Sequence, residues 1–138
     1  MPEQTIMAFD YGDARLGVAI GNTLLKIAHP LETITAQGMH PQIDLIEPLI
    51  ERWRPQVLVV GIPHAHDNPQ KIQLINTINN FVKRLGRRTG LPVVTINEDF
   101  TSAVASSLLN EQGIYGRAQT GKLDQLAACA ILDTYFNL

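Results

Sequence analysis

A chain of 138 residues, 45% hydrophobic and 17% charged, has the composition of one globular domain, expected over residues 1–138. A net charge of −2 excludes a protein that coats nucleic acid with its whole surface, so any phosphate contact has to come from a local patch. There is no apolar stretch of the roughly 18–20 residues that span a bilayer. Met1-Pro2-Glu3-Gln4 has no signal-peptide character, and the lone Cys129 allows no internal disulfide; both favour the cytoplasm and no membrane.

Thr5 to Phe9 reads as a strand ending in Asp10-Tyr11-Gly12, and Leu16 to Ile20 follows closely enough to pair with it as an antiparallel hairpin. Leu31 to Thr35 is β-rich and makes a third strand. Ile43, Ile46, Leu49, Ile50 and Trp53 then recur at helical spacing, with Pro48 predicting a kink or a later start. Val57 to Val60 is continuously apolar, as in a parallel strand covered on both faces.

Asn68-Pro69 is a helix start, a capping side chain followed by proline in the first turn. Ile72, Ile75, Ile78, Val82 and Leu85 mark its buried face, and Gly86 and Gly90 bracket its end. Val93 to Ile96 is another buried strand. Thr101 caps a predicted helix through about Gln112, residues 113–121 read as a loop, and a last helix runs from about Lys122 to Phe136. Leu123, Leu126, Ala127, Ala130 and Ile131 should face inward there. The expected fold class is α/β: a five-stranded mixed sheet, antiparallel over its first three strands and parallel over its last two, with helices on both faces.

This order gives three acids a common setting. Asp10 follows the first, central strand, Glu98 follows the last strand, and Asp124 opens the final helix. If the first and last strands run parallel, Asp10 and Glu98 emerge at the sheet's carboxyl end, where open α/β sheets bind ligands. One intervening strand separates their backbones by about 10 Å. Three carboxylates are hard oxygen ligands suited to Mg²⁺ or Mn²⁺, ions that activate water and stabilise an in-line phosphoryl displacement. Taken singly, each acid also has an ordinary reading as a turn residue, a loop acid or a helix-dipole partner.

Arg15 and Lys122 flank the proposed site and suit phosphate contacts, with Thr101 and Arg117 as further substrate-binding candidates. Lys83, Arg84, Arg87 and Arg88 cluster on one helix face, either as a phosphate patch or as a solvated surface. His64 and His66 alternate but lack a third ligand. Cys129 and Trp53 read as packing residues.

Three segments carry a family resemblance: Asp10-Tyr11-Gly12-Asp13-Ala14-Arg15-Leu16-Gly17-Val18-Ala19, Val59-Val60-Gly61-Ile62-Pro63, and Lys122-Leu123-Asp124-Gln125-Leu126-Ala127-Ala128. In order and spacing, over nearly the whole chain, they resemble the YqgF family of nucleases related to Holliday junction resolvases. The resemblance implies a ribonuclease H-like fold and catalytic, metal-binding acids at Asp10, Glu98 and Asp124 with Mg²⁺ or Mn²⁺. It also implies maturation of the 5′ end of pre-16S rRNA as the function. Two segments depart from the family pattern. Asn97-Glu98-Asp99 stands where Asp-Glu-Arg is usual, and residues 64–70 replace a loop that carries a flexible glycine.

Alternative functions are a Holliday junction resolvase acting on branched DNA, a catalytically weakened nucleic-acid-binding module, and an actin-like ATPase half. The expected partner is nucleic acid, structured RNA first, and the expected state is a monomer or weak homodimer.

Overall fold

The computed structural model describes residues 3–12, 14–35, 43–65, 67–98 and 116–138, with the side chains of residue 98 and residues 116–121 left aside. The elements are β1 (Thr5–Tyr11), β2 (Arg15–Asn22), β3 (Ala28–Thr35), α1 (Ile43–Trp53), β4 (Val57–Pro63), α2 (Pro69–Thr89), β5 (Val93–Glu98) and α3 (Gly116–Phe136). The five strands form one sheet in the order β3-β2-β1-β4-β5. β1 pairs antiparallel with β2, and β2 with β3, while β1, β4 and β5 run parallel. This is the mixed sheet expected from the element order.

Alternation along β1 divides two cores. Met7, Phe9 and Tyr11 point to the α1 and α2 side, where Leu58, Val60, Ile46, Ile78, Phe81 and Leu85 close around them. The Phe81 ring meets Phe9 edge-on at 6.4 Å between centroids and Tyr11 at 5.2 Å. Ile6 and Ala8 point to the opposite side, against Ala128, Cys129, Ile131, Leu132 and Phe136 of α3. Helices therefore cover both faces, which is why Ile6 to Phe9 of β1 and Val57 to Val60 of β4 are continuously apolar.

Several local signals act as expected. The Asn68 side chain accepts from the Gln70 amide at 3.0 Å and caps α2. Gly90, at φ 71°, ends that helix in the left-handed conformation. Cys129 is buried in the α3-side core.

Others are corrected. α1 does not start later than its apolar periodicity: it spans Ile43–Trp53 with Pro48 inside, which removes one intrahelical bond without ending the helix. α3 begins at Gly116, so residues 116–121, read as loop, are helical, and Arg117 lies in a helical turn. A lone interior glycine such as Gly121 costs only about 1 kcal/mol against alanine, and Arg117, Ala118 and Gln119 are good helix formers. Ile72 is 45% exposed, in an opening stretch of α2, Pro69 to Gln73, that is exposed throughout. Trp53 is 40% exposed, with the Arg52 guanidinium 5.7 Å from its ring centroid, rather than packed in the core. The predicted helix from Thr101 to about Gln112 lies outside the described residues. Among the described residues, no helix is long and apolar enough to cross a membrane.

Candidate active site

The site is built on one row of the sheet. Asp10 on β1 pairs with Gly17 on β2, and Gly17 pairs with Thr33 on β3. Asp10 follows Ile6 and Ala8 in the alternation that faces α3, so the row lies beneath the α3 segment that starts at Asp124.

Gly17 sets how closely that helix approaches. A Cβ placed on Gly17 would lie 2.0 Å from the Asp124 carbonyl oxygen and 3.0 Å from the Asp124 Cβ. No side chain fits there, and the helix backbone occupies the space instead. Residues directly opposite in an antiparallel pair have Cβ positions about 4.5–5.5 Å apart. The Cβ atoms of Asp10 and Asp124 are therefore separated by at most about 8.5 Å, short enough for both carboxylates to approach one small ligand. Further along β2, Gly21 plays a similar part, its missing Cβ leaving room for the Phe136 ring. α3 thus lies down on β2 at two glycines.

Two polar links fasten the start of the α3 core segment. The Gln125 amide donates to the Thr33 hydroxyl at 3.0 Å, at the end of the row. The Arg15 guanidinium donates to Asp124 Oδ2 at 2.6 Å. Asp124 is half-buried, with 18% of its side chain exposed, and Arg15 is more open at 39%.

Glu98 is the last residue of β5, opposite Pro63 of β4. Phe9, Val60 and Thr95 form one row across the three parallel strands, so Asp10 stands one residue past it and Glu98 three. Their backbones are about 10 Å apart across the sheet and offset by about 7 Å along it. Both lie at the carboxyl end, as the topology requires. Among the described residues, no three His, Cys, Asp or Glu side chains gather as a metal-binding group. The Glu98 side chain is outside that set.

Lys122 is exposed two residues before Asp124. Arg117 is on the first turn of α3, and Thr101, Asp99 and His66 lie outside the described residues. The loop acid Asp67 adopts φ 62°, the left-handed conformation for which a glycine would ordinarily serve. Of the basic cluster on α2, Arg88 is committed to Asp44 and Glu47 of α1.

Sequence reasoning missed Gly17, Thr33 and Gln125 as site-builders. The glycine was legible in principle, because Gly17, Ala19 and Gly21 put only small residues on one face of β2. The Thr33–Gln125 contact joins residues far apart in the chain, and no local pattern announces it.

The donors available here are hard oxygens. The neighbouring thiol of Cys129 is pushed up to about 12, first by burial and then by the Asp133 carboxylate, and supplies no thiolate. Carboxylates on a sheet end, balanced by an arginine, suit a divalent cation of the Mg²⁺ or Mn²⁺ class.

Comparison with known proteins identifies the family and the fold. The family model described as "RuvX: Holliday junction resolvase" matches residues 4–138. A Methylobacillus flagellatus protein named "Putative pre-16S rRNA nuclease" is 45% identical over 132 residues, covering 96% of this chain and 90% of its own. A relative of the same name from Chromobacterium violaceum is 45% identical over 131 residues, covering 94% and 95%. Among solved structures, Thermus thermophilus RuvC bound to a Holliday junction superposes with a TM-score of 0.56 at 16% identity, covering 96% of this chain and 93% of that one. The yeast mitochondrial resolvase Ydc2 gives 0.54 at 12% identity, covering 95% and 77%. The fold is thus ribonuclease H-like, and the chain belongs to the RuvX family of nucleases.

Proposed function

We propose that this protein is a metal-dependent nuclease that hydrolyses phosphodiester bonds in maturing the 5′ end of pre-16S rRNA, with Asp10, Glu98 and Asp124 as its catalytic acids. The observation that carries the reading is the seating of Asp124 on Gly17, directly opposite Asp10, at the carboxyl end of the sheet. It unites acids from the first strand and the last helix, while Glu98 arrives at the same end from β5. The names of the relatives supply the RNA substrate.

The residues present fit a hard divalent cation, with Asp10, Glu98 and Asp124 as its ligands. When bound, such an ion lowers the pKa of a water and neutralises charge on the phosphate under attack. The chain's own residues supply the rest. The carboxylates must stay ionised to serve as ligands, and the half-buried seat of Asp124 fixes one of them in place. Lys122, Arg15 and Arg117 neutralise flanking phosphates, which positions the scissile bond without reading sequence. Thr101 adds a hydroxyl donor to the substrate. Water oxygen bonds to phosphorus as the ester P–O bond breaks, and the departing oxygen takes up a proton.

Branched DNA is the second reading, favoured by the description of the family model. A labelled panel containing a precursor 16S leader RNA, a four-way DNA junction and single strands separates the two. Incubation with Mg²⁺, Mn²⁺ or EDTA should give metal-dependent cutting of the leader RNA, lost in Asp10→Asn. Preferential cutting of the junction transfers the function to DNA. A folded protein that cuts nothing with any metal is a binding module instead, and Asp99→Arg is then the first reversion to make.

A further inference from the structure

We propose that Arg15 is a placeholder cation: its guanidinium neutralises Asp124 while the site holds no metal, and releases the carboxylate when a divalent cation arrives. This deepens the metal-centre reading above and rests on it.

The argument starts from the cost of Asp124. A carboxylate with 18% of its side chain exposed has lost much of its hydration, and an unpaired charge there is unfavourable. Arg15 answers this with a charge-assisted bond of 2.6 Å to Oδ2. That same oxygen is one of the two through which Asp124 can bind a cation. Ligation through it and pairing with Arg15 compete, and two positive charges on one carboxylate repel.

Release is feasible because α3 does not depend on Arg15 for its position. Gln125 is bonded to Thr33, and the Asp124 backbone fills the space above Gly17, whatever the guanidinium does. The exchange is therefore a side-chain movement on a fixed helix. Arg15 is also the more exposed partner, at 39%, and stands on β2 beside the Gly12 turn, where the Gly12 amide donates to the Arg15 carbonyl at 2.9 Å. Its backbone is anchored while its side chain is partly open to solvent. Once released, the guanidinium is available to a nucleic-acid phosphate, a better acceptor for its fork of donors than water. Metal and nucleic acid then bind with positive coupling, each lowering the cost of freeing Arg15 for the other.

The test is calorimetric titration of Mn²⁺ into the nucleic-acid-free protein, wild type against Arg15→Gln, Arg15→Lys and Asp124→Asn. The exchange predicts that Arg15→Gln binds Mn²⁺ about five-fold or more tightly than wild type, within the usual range of coupling between sites. Arg15→Lys, whose ammonium can take the same place, should stay within about two-fold of wild type. Unchanged or weaker Mn²⁺ binding by a folded Arg15→Gln overturns the proposal, since the arginine is then an orienting residue and no competitor. Asp124→Asn isolates the underlying reading: if it binds Mn²⁺ as well as wild type, Asp124 is no ligand and the metal centre itself is misplaced. If no variant binds Mn²⁺, both fall together.

Discussion

Gly17 is the residue on which the candidate site turns, because it acts through what it lacks. Its Cβ would need to occupy space 2.0 Å from the Asp124 carbonyl oxygen, a backbone atom that cannot rotate away. Gly17→Ala must therefore lift α3, at a cost of about 1–3 kcal/mol for overpacking. Urea denaturation should show that loss, and cleavage should fall with it because Asp124 moves away from Asp10. Cys129, in the α3-side core, offers a second residue-scale check. Its thiol is held at about 12 against an ordinary 9.0, chiefly by burial. The native protein should resist iodoacetamide at pH 8 and label fully in urea. The linkage has a definite sign: the folded state holds this proton more tightly than the unfolded chain. The resulting stability is complete below pH 9.0 and is lost as pH rises toward about 12. Urea midpoints should fall between pH 8 and 10 more steeply for wild type than for Cys129→Ala.

At the scale of the element, α3 is the piece that brings a remote acid to the sheet, and its docking rests on few polar contacts. Removing the Gln125–Thr33 bond with Gln125→Ala should cost about 1 kcal/mol, the net value of an ordinary hydrogen bond. Its effect on activity should fall on kcat more than on KM, since it loosens the Asp124 seat without touching a phosphate-binding cation. Double-mutant analysis with Thr33→Val checks the pairing, because the second change should add little to the first. The helix also shows where local sequence signals stop. Asn68 with Pro69, and Gly90, delimit α2 because capping is settled within a few residues. The start of α3 escaped the same reasoning because Gly121, taken as the end of a loop over residues 113–121, is tolerated inside the helix. Glycine signals a turn only where the backbone needs a positive φ, as at Gly90. Asp67 shows the converse, taking that conformation without being glycine.

For the whole molecule, topology decides which charges can reach the site. The strand order and the two-faced core were legible because hydrophobic periodicity and short connections leave few arrangements. The role of the α2 basic cluster was not, since helix-face spacing shows that cations lie together but not where they sit relative to the acids. The fold supplies that relation. α2 packs on the face of the sheet opposite α3, with its Phe81 ring against Phe9 and Tyr11. Lys83, Arg84 and Arg87 are therefore separated from Asp10 and Asp124, which lie on the α3 side, by the sheet itself, and Arg88 is tied to α1. Lys122 lies two residues from Asp124 and is exposed. Binding of the precursor leader RNA, measured across salt concentrations in the catalytically silent Asp10→Asn background, should sort them. A triple alanine variant at Lys83, Arg84 and Arg87 should keep its Kd within about two-fold and its salt slope unchanged, because those side chains release no counterions at the site. Lys122→Ala should weaken binding at every sequence tested and reduce the salt slope by about one. The reverse pattern would place the RNA along α2, with only its end entering the carboxylate cleft.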